Sequence, residues 1–247
     1  YVIDEANLET HGIQAQTTRD PAWMNAYLER AQRMALRDRN HACVIGWSLG
    51  NESFYGPHHA AMAAWLRQFD PTRPVQYESG CPGPEVTDIM VPMYPQRDWI
   101  VQVMADARET RPMILCEYAY AKGNANGNVD IYWDLVDRWP AFQGGFVWDW
   151  ADKALTRTVD GAEQWAYGNE FDGGIGPDGY DYGAHENPQM CLNGVVLPDL
   201  TPKPGAIELM KVQAPVGFAV AGADALAAGE ITVHNKYLAL DLTHLDI

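Results

Sequence analysis

The segment CVIGWSLGNES, residues 43–53, decides the fold because an apolar run stops abruptly at polar side chains. Residues 44–49 form the run, which is typical of a parallel strand that is covered on both faces. Gly50, Asn51 and Glu52 follow at once, so a carboxylate stands at the tip of a buried strand. In parallel α/β proteins the strand ends carry the chemistry. The segment therefore predicts one wall and part of the rim of a functional site.

Similar runs recur along the chain and alternate with helical segments. Six candidate strands are predicted, at residues 1–7, 44–49, 75–77, 89–91, 113–118 and 145–150. Helices are predicted between them, at residues 20–40, 57–70, 98–108 and 128–138, and Asp20 with Pro21 begins the first helix. This alternation indicates a parallel α/β fold. Because a (β/α)₈ TIM barrel needs eight strands, we expect a barrel without its first two βα units. A doubly wound sheet is the alternative.

The composition and the periodicity of the sequence change after residue 150. Residues 156–198 are rich in Gly, Asp and Tyr and lack periodicity, which is typical of a loop near a site. A linker with a short helix is predicted at 201–215, and residues 216–247 alternate like antiparallel strands. We therefore expect a partial barrel at 1–200, the linker, and then the start of an immunoglobulin-like β-sandwich that is cut short.

The first residue is not Met, and the chain opens inside a predicted strand. We therefore expect these residues to be an internal piece of a longer polypeptide, which by itself would be poorly stable and either weakly active or inactive.

Charge and cysteine content narrow the function classes. The 247 residues include 33 acidic and 17 basic side chains, a net charge of -16. This balance argues against nucleic acid and anionic membrane surfaces as partners. The four cysteines show no CxxC spacing, which predicts buried free thiols in a reducing compartment, the cytoplasm.

Two carboxylates stand at predicted strand ends. On the strand count, Glu52 ends the fourth barrel strand and Glu117 ends the seventh. Glycosidic bond hydrolysis needs such a pair, one group to protonate the leaving oxygen and the other to attack or to activate water. The alternative is that each Glu pairs with an arginine or caps a helix.

A second polar cluster is predicted at Glu9 and His11, which follow the first strand. Residues two apart in an extended segment share a face, so both side chains can point the same way, and with Glu52 they would form one cluster. Two carboxylates and an imidazole suit Mg²⁺, which takes few protein ligands and keeps several waters. A hydrogen-bonded histidine at the start of a loop is the alternative.

Aromatic residues accompany the acids. The chain has 9 Trp and 12 Tyr, and Trp148 and Trp150 are predicted on one face of the last strand. Tyr94 follows another strand end, where its hydroxyl could donate to a carboxylate or a sugar. Aromatic walls near polar groups suit sugars, although ordinary core packing is the alternative for any one of them.

Seven motifs, taken in order, resemble the catalytic barrel of the large β-galactosidases of glycoside hydrolase family 2. They are DEANLETHG, RDRNHACVIGWSLGNES, RPVQYE, PMY, RPMILCEYAYAKGN, QGGFVWDW and CLNG. The resemblance covers about residues 1–204. It implies a retaining hydrolase that releases terminal β-D-galactose from β-galactosides such as lactose. It also implies that Glu52 is the general acid/base and that Glu117 is the nucleophile that forms a galactosyl-enzyme.

The resemblance implies further site residues and a homo-oligomeric parent enzyme. Asn51 is expected at the sugar 2-hydroxyl, Tyr94 beside the nucleophile and Trp148 beneath the sugar. Tyr120 replaces a histidine that touches the sugar in the family. The implied ion ligands are Glu9, His11 and Glu52 for Mg²⁺, and Asn193 with the backbone of Met190 for Na⁺. A β-glucuronidase or β-mannosidase of the same family and a non-catalytic carbohydrate-binding barrel remain alternatives.

Overall fold

A computed structural model describes residues 1–122, 125–166 and 192–245 of the chain. The described residues belong to two compact units. The first unit comprises Tyr1–Ala121 with Asp134–Trp150, and the second comprises Lys122–Trp133 with Ala151–Ile247. Each unit is described by itself below.

The first unit is built on parallel strands that pair in chain order. These are β1 (Val2–Glu5), β2 (Val44–Ser48), β3 (Val75–Gln76), a short bridge segment at Ile89 and Met90, β4 (Met113–Tyr118) and β5 (Phe142–Val147). Each pairs in parallel with the next, and the bridge segment joins β3 to β4. A doubly wound sheet reverses its strand order partway, whereas a barrel adds strands sequentially. The sequential order is that of a barrel. Five of the six predicted strands are present, the last of them at shifted bounds, and the predicted strand at 89–91 is only the bridge segment at Ile89 and Met90.

Helices lie between the strands as the pattern predicted. They are α1 (Gln16–Arg19), α2 (Met24–Asp38), α3 (Pro57–Phe69), α4 (Arg97–Ala105) and α5 (Asp130–Arg138). The side chain of Asp20 accepts a hydrogen bond of 3.0 Å from the N–H of Ala22, which confirms the predicted cap. A 3₁₀ turn, Pro21–Trp23, leads from this cap into α2. The four-residue helix α1 was not predicted because it is too short to show a period.

The core of the first unit is centred on Trp47, whose side chain is fully buried. Its indole N–H donates to Oδ2 of Asp70 at 3.1 Å, and Arg73 binds the same carboxylate oxygen at 2.5 Å. Burial raises the pKa of Asp70, but hydrogen bonds from Thr72, Arg73 and Trp47 outweigh it and lower the pKa to about 2. The strand that leads to Glu52 is therefore anchored by a buried ring and an ionised carboxylate.

Replacing Trp47 by alanine should destabilise the first unit by about 3–5 kcal/mol, the usual cost of deleting a buried indole. The midpoint of thermal unfolding should fall by on the order of 10 °C. The measurement is a thermal scan of the whole natural polypeptide that carries this chain. The matched control is Trp23→Ala, because the Trp23 side chain is 47% exposed and should cost far less. Equal losses in both variants would contradict this account of the core.

The last strand of the first unit differs from its prediction. β5 begins at Phe142 and ends at Val147, three residues earlier at each end than predicted. Gln143, Gly144 and Gly145 interrupt the apolar pattern and concealed the true start. Trp148 and Trp150 thus lie past the strand, so the prediction that they share one of its faces was wrong.

The described part of the second unit contains two antiparallel strand pairs and the helices that follow or separate them. Strand β6 (Leu155–Val159) pairs antiparallel with β7 (Ala162–Ala166), so the loop predicted from residue 156 onward was wrong for this part. Asp160 and Gly161 both have positive φ, the two-residue turn that an Asp-Gly pair favours, and this was the overlooked signal. Residues 167–191 of that predicted loop lie outside the described residues.

The C-terminal part of the second unit begins with α6 (Pro204–Val212), which confirms the short helix predicted in the linker. Strand β8 (Val216–Ala219) pairs antiparallel with β9 (Thr232–Asn235), and α7 (Ala223–Ala227) lies between them in sequence. The division into barrel, linker and β-sandwich start stays a prediction.

The cysteines are less buried than predicted. Cys43 and Cys81 are exposed free thiols, so the prediction of buried thiols was wrong for these two. Both lie in turns that flank strands, at positions that no apolar period covers. Cys116 is partly buried and free, and Cys191 lies outside the described residues. Among the helices that the structure describes, none is long and apolar enough to cross a membrane.

Candidate active site

The rim of the site begins where β2 ends. Gly50 has φ +125°, and a Cβ on it would lie 2.5 Å from the carbonyl oxygen of Leu8, so only glycine fits. The next residue, Asn51, donates its N–H to that carbonyl at 2.8 Å and pairs in parallel with Glu9. The close approach at Gly50 therefore brings the segment after β1 beside Glu52.

Part of the predicted metal cluster comes together here. Nε2 of His11 lies 3.8 Å from Oε2 of Glu52, and Glu9 is fixed to Asn51 through its backbone. Within the described ranges, three or more His, Cys, Asp or Glu side chains do not converge as a metal site. The chemistry of the donors, two carboxylates and one imidazole, fits a cation that completes its shell with water. The Mg²⁺ site stays a prediction.

Glu117 lies near the end of β4, half-buried, and is held by Tyr94 in two ways. The Tyr94 hydroxyl donates to Oε2 of Glu117 at 2.5 Å, and its backbone N–H donates to the Glu117 carbonyl at 2.9 Å. Burial raises the pKa of Glu117 to about 7, the Tyr94 hydrogen bond opposes this, and the charges of Glu52, Glu5 and Glu9 add to it. The two strand-end acids thus belong to one electrostatic site.

Aromatic side chains flank Glu117. The rings of Tyr94 and Tyr120 meet edge to face, with centroids 6.0 Å apart. Trp148 donates its backbone N–H to Tyr118 at 3.0 Å and accepts the N–H of Ala121 at 3.1 Å. Tyr94, Tyr120 and Trp148 therefore lie around the end of β4, and their contacts with a sugar stay a prediction.

Asn193 belongs to the second unit. Its side chain is 1% exposed, and neither its amide oxygen nor its amide nitrogen has a hydrogen-bond partner among the described residues. A buried oxygen without a partner fits a cation ligand. Met190, the other predicted Na⁺ ligand, lies outside the described residues.

Two further carboxylates, Glu78 and Glu5, were missed. Glu78 follows β3, and its Oε1 accepts the backbone N–H of Glu52 at 2.6 Å. Burial raises the pKa of Glu78 to about 7, and repulsion from Glu52 adds to the rise although the hydrogen bond lowers it. Glu5 ends β1 and accepts the hydroxyl of Ser48 at 2.8 Å. Glu78 directly follows the predicted strand 75–77, so the rule that found Glu52 and Glu117 would have found it, whereas Glu5 lies inside the predicted strand 1–7 and had no such mark.

A cavity of about 510 Å³ opens next to the rim, between the segment after β1 and helix α2. Glu5, Glu9, Asn51, Tyr27 and Arg30 are among its lining residues. Neither Glu52 nor Glu117 lines it, so the reaction site is assigned to the strand ends and not to this cavity.

Sequentially paired parallel strands with a pair of electrostatically coupled carboxylates at their ends define a class, the barrel-type glycoside hydrolases. Comparison with known families agrees. Residues 1–218 match the model of the glycosyl hydrolases family 2 TIM barrel domain. The chain belongs to this family.

Relatives of established function are β-galactosidases of bacteria. The chain is 44% identical to a β-galactosidase of Aeromonas hydrophila over 252 residues, which cover 96% of this chain and 23% of that protein. It is 42% identical to a β-galactosidase of Vibrio cholerae, again over 96% of this chain and 23% of the relative. The chain thus spans about a quarter of the length of these proteins.

Solved structures with the same fold are family 2 enzymes. A β-glucuronidase of Ruminococcus gnavus aligns with a TM-score of 0.55 at 16% identity and covers 80% of this chain and 37% of that one. A family 2 member from Bacteroides cellulosilyticus gives a TM-score of 0.50 at 15% identity over 80% of this chain and 23% of that one. These likenesses establish the fold alone.

Proposed function

We propose that the polypeptide carrying this chain is a retaining β-galactosidase that releases terminal β-D-galactose from β-galactosides such as lactose. The observation that carries the proposal is the pair Glu52 and Glu117, which lie near the ends of two strands in the same parallel series, where the charge of Glu52 adds to the rise in the pKa of Glu117. The identity of 44% to a β-galactosidase supports galactose as the sugar.

The proposed reaction has two steps. A carboxylate oxygen of Glu117 attacks the anomeric carbon, and the bond to the leaving oxygen breaks as Glu52 transfers its proton to that oxygen. Glu52 then takes a proton from water, the water oxygen attacks the anomeric carbon, and the bond to Glu117 breaks. Both carboxyl groups return to their starting protonation states, and the sugar keeps its configuration.

The other predicted residues hold the sugar in this proposal. Asn51 would bind the 2-hydroxyl, Trp148 would form the apolar surface beneath the ring, and Tyr94 would orient Glu117. Tyr120, whose ring meets that of Tyr94 edge to face, stands where the family has a sugar-binding histidine. Asn193 would face the 6-hydroxyl side.

Two ions complete the proposed site. Glu9, His11 and Glu52 would hold Mg²⁺, which supplies positive charge among the crowded carboxylates. Asn193 and the backbone of Met190 would hold Na⁺, and the buried amide oxygen of Asn193, which has no hydrogen-bond partner among the described residues, supports this.

The chain would form six strands of the eight-stranded barrel and the first strands of a β-sandwich, within a longer homo-oligomeric enzyme of the cytoplasm. This chain covers only 23% of the length of the β-galactosidase of Aeromonas hydrophila, which supports a longer enzyme. The net charge of -16 argues against nucleic acid and anionic membrane surfaces as partners.

The test is a panel of nitrophenyl β-glycosides assayed with the whole natural polypeptide. We expect kcat/KM for the galactoside to exceed that for the glucuronide and the mannoside by at least about 100-fold. A sugar whose polar groups do not match those of the site leaves buried polar groups unpaired, and the enzyme discriminates strongly against it. Proton NMR of the first product should show the β-anomer. A preference for glucuronide or mannoside would favour another family 2 glycosidase, and sugar binding without hydrolysis would favour a carbohydrate-binding barrel.

Replacing Tyr94 by phenylalanine should move the acidic limb of the pH profile. The nucleophile reacts only when ionised, so kcat/KM falls as the pH drops through the Glu117 pKa of about 7. The Tyr94 hydroxyl stabilises the carboxylate, so its loss should raise that pKa and shift the limb upward by about one pH unit. The assay uses a dinitrophenyl galactoside, which needs no acid. Tyr237→Phe is the control, and an unmoved limb in Tyr94→Phe would contradict the prediction.

A further inference from the structure

The loop that carries Glu52 has an unusual backbone. Glu52 has φ +37° and Phe54 has φ +53°, so two non-glycine residues in three adopt the left-handed region. Such conformations are disfavoured and persist only where surrounding contacts hold them. The side chain of Glu52 depends on this backbone for its direction, so the contacts that hold the loop also set the position of its carboxyl group.

Three consecutive side chains after β3 bind three consecutive backbone N–H groups of this loop. Glu78 Oε1 accepts from Glu52 at 2.6 Å, the Tyr77 hydroxyl accepts from Ser53 at 3.2 Å, and Ser79 Oγ accepts from Phe54 at 3.1 Å. Every N–H from residue 52 to residue 54 therefore has a side-chain acceptor from one short segment.

Two carbonyl groups of the loop are held as well. The Tyr77 hydroxyl, having accepted from Ser53, donates to the carbonyl of Phe54 at 3.2 Å. Thr18 donates its hydroxyl to the carbonyl of Ser53 at 2.5 Å. Ser53 and Tyr77 are buried, so these bonds are shielded from competing water.

We infer that Tyr77, Glu78 and Ser79 form an acid-loop clamp, a positioning device that aims the Glu52 carboxyl group at the leaving-group oxygen. The inference rests on the proposed function, because it takes Glu52 to be the general acid/base. Glu78 is the principal member, since an ionisable acceptor on the N–H of Glu52 itself makes the shortest of the three bonds. The clamp residues touch neither sugar nor leaving group in this account, so they act through Glu52.

The test compares two substrates in the whole natural polypeptide. Hydrolysis of phenyl β-galactoside needs proton donation, whereas 2,4-dinitrophenyl β-galactoside has a leaving group that departs without it. In Glu78→Ala, kcat/KM for the phenyl substrate should fall by about 100-fold, the usual cost of misplacing a catalytic group. For the dinitrophenyl substrate it should stay within about threefold of wild type.

Glu78→Gln is the conservative variant. Its amide oxygen can still accept the N–H of Glu52, so it should restore most of the activity on the phenyl substrate. Glu85→Ala is the matched control, because Glu85 is an exposed carboxylate a few residues further along the same segment. It should leave both substrates unaffected.

A second readout follows the other half of the reaction. A misplaced Glu52 is also a poor base, so the glycosyl-enzyme should accumulate in Glu78→Ala, with kcat and KM for the dinitrophenyl substrate falling together. Azide needs no base, and it should restore kcat and yield β-galactosyl azide. A merely structural role for Glu78 would not produce this rescue.

The inference is overturned if Glu78→Ala lowers kcat/KM for both substrates by the same factor, or for neither. If Glu78→Ala does not fold, Ser79→Ala removes one bond to the loop and Tyr77→Phe removes two, and each must show the same selective loss. If the wild-type polypeptide prefers another glycoside, the proposed galactose specificity fails while the clamp is tested on phenyl and dinitrophenyl forms of that sugar. If it hydrolyses no glycoside, both fail.

Discussion

Replacing Glu117 by glutamine should abolish turnover of every β-galactoside, with kcat reduced by at least about 10⁴-fold. The amide cannot attack the anomeric carbon, and losses of this order follow removal of a nucleophile. The Tyr94 hydroxyl can still donate to the amide oxygen, so the local geometry should persist. The measurement is hydrolysis of dinitrophenyl β-galactoside. Its leaving group departs without protonation, so the rate reflects the nucleophilic attack and not the proton transfer.

A covalent label tests the same role independently. A 2-deoxy-2-fluoro galactoside with a good leaving group should add one sugar mass to the wild-type polypeptide, and peptide mapping should place the ester on Glu117. Glu117→Gln should not be labelled. Glu85→Gln makes the same chemical change on the surface and should be both active and labelled. Labelling of a different carboxylate, or residual turnover in Glu117→Gln near that of wild type, would rule out Glu117 as the nucleophile.

Replacing Glu52 by glutamine should have the second-largest effect, and it should depend on the leaving group. Loss of a general acid lowers rates by about 10²–10⁴-fold where protonation is needed. We expect about 10³-fold for phenyl β-galactoside and less than about 10-fold in kcat/KM for the dinitrophenyl compound. Glutamine keeps the size and polarity of the side chain, so the difference between the two substrates measures the effect of losing the transferable proton.

Azide completes the experiment on Glu52. In Glu52→Gln it should raise kcat for the dinitrophenyl substrate and give β-galactosyl azide, because the anion attacks the glycosyl-enzyme without a base. In wild type the ionised Glu52 should repel azide, and kcat should not change. A uniform loss on both substrates in Glu52→Gln, or the absence of an azide product, would mean that another group is the acid/base. Comparing Glu52→Gln with Glu78→Ala then distinguishes the effect of removing the acid from the effect of misplacing it.

Much of the site was predictable because a short sequence pattern marks the position of each proposed catalytic acid. An apolar run that stops at a polar residue identifies the end of a buried strand, and Glu52 and Glu117 both stand there. The sequential strand order could be anticipated for the same reason, since six such runs alternate with helical segments. The hairpin Leu155–Ala166 was missed because its residues lack apolar alternation and only the Asp160–Gly161 turn marks it.

The sequence by itself determined the order of strands and helices, the acids Glu52 and Glu117 and the family, because these depend on short-range pattern and residue identity. Only the tertiary structure decided which groups meet. Glu78 binds the N–H of Glu52 across 26 positions of the chain, and Tyr94 binds Glu117 across 23. Such contacts depend on the register of neighbouring parallel strands and on where each loop turns, as at Gly50. The periodicity of a sequence shows which face of one helix or strand is buried. It does not show which residue of a neighbouring segment that element contacts.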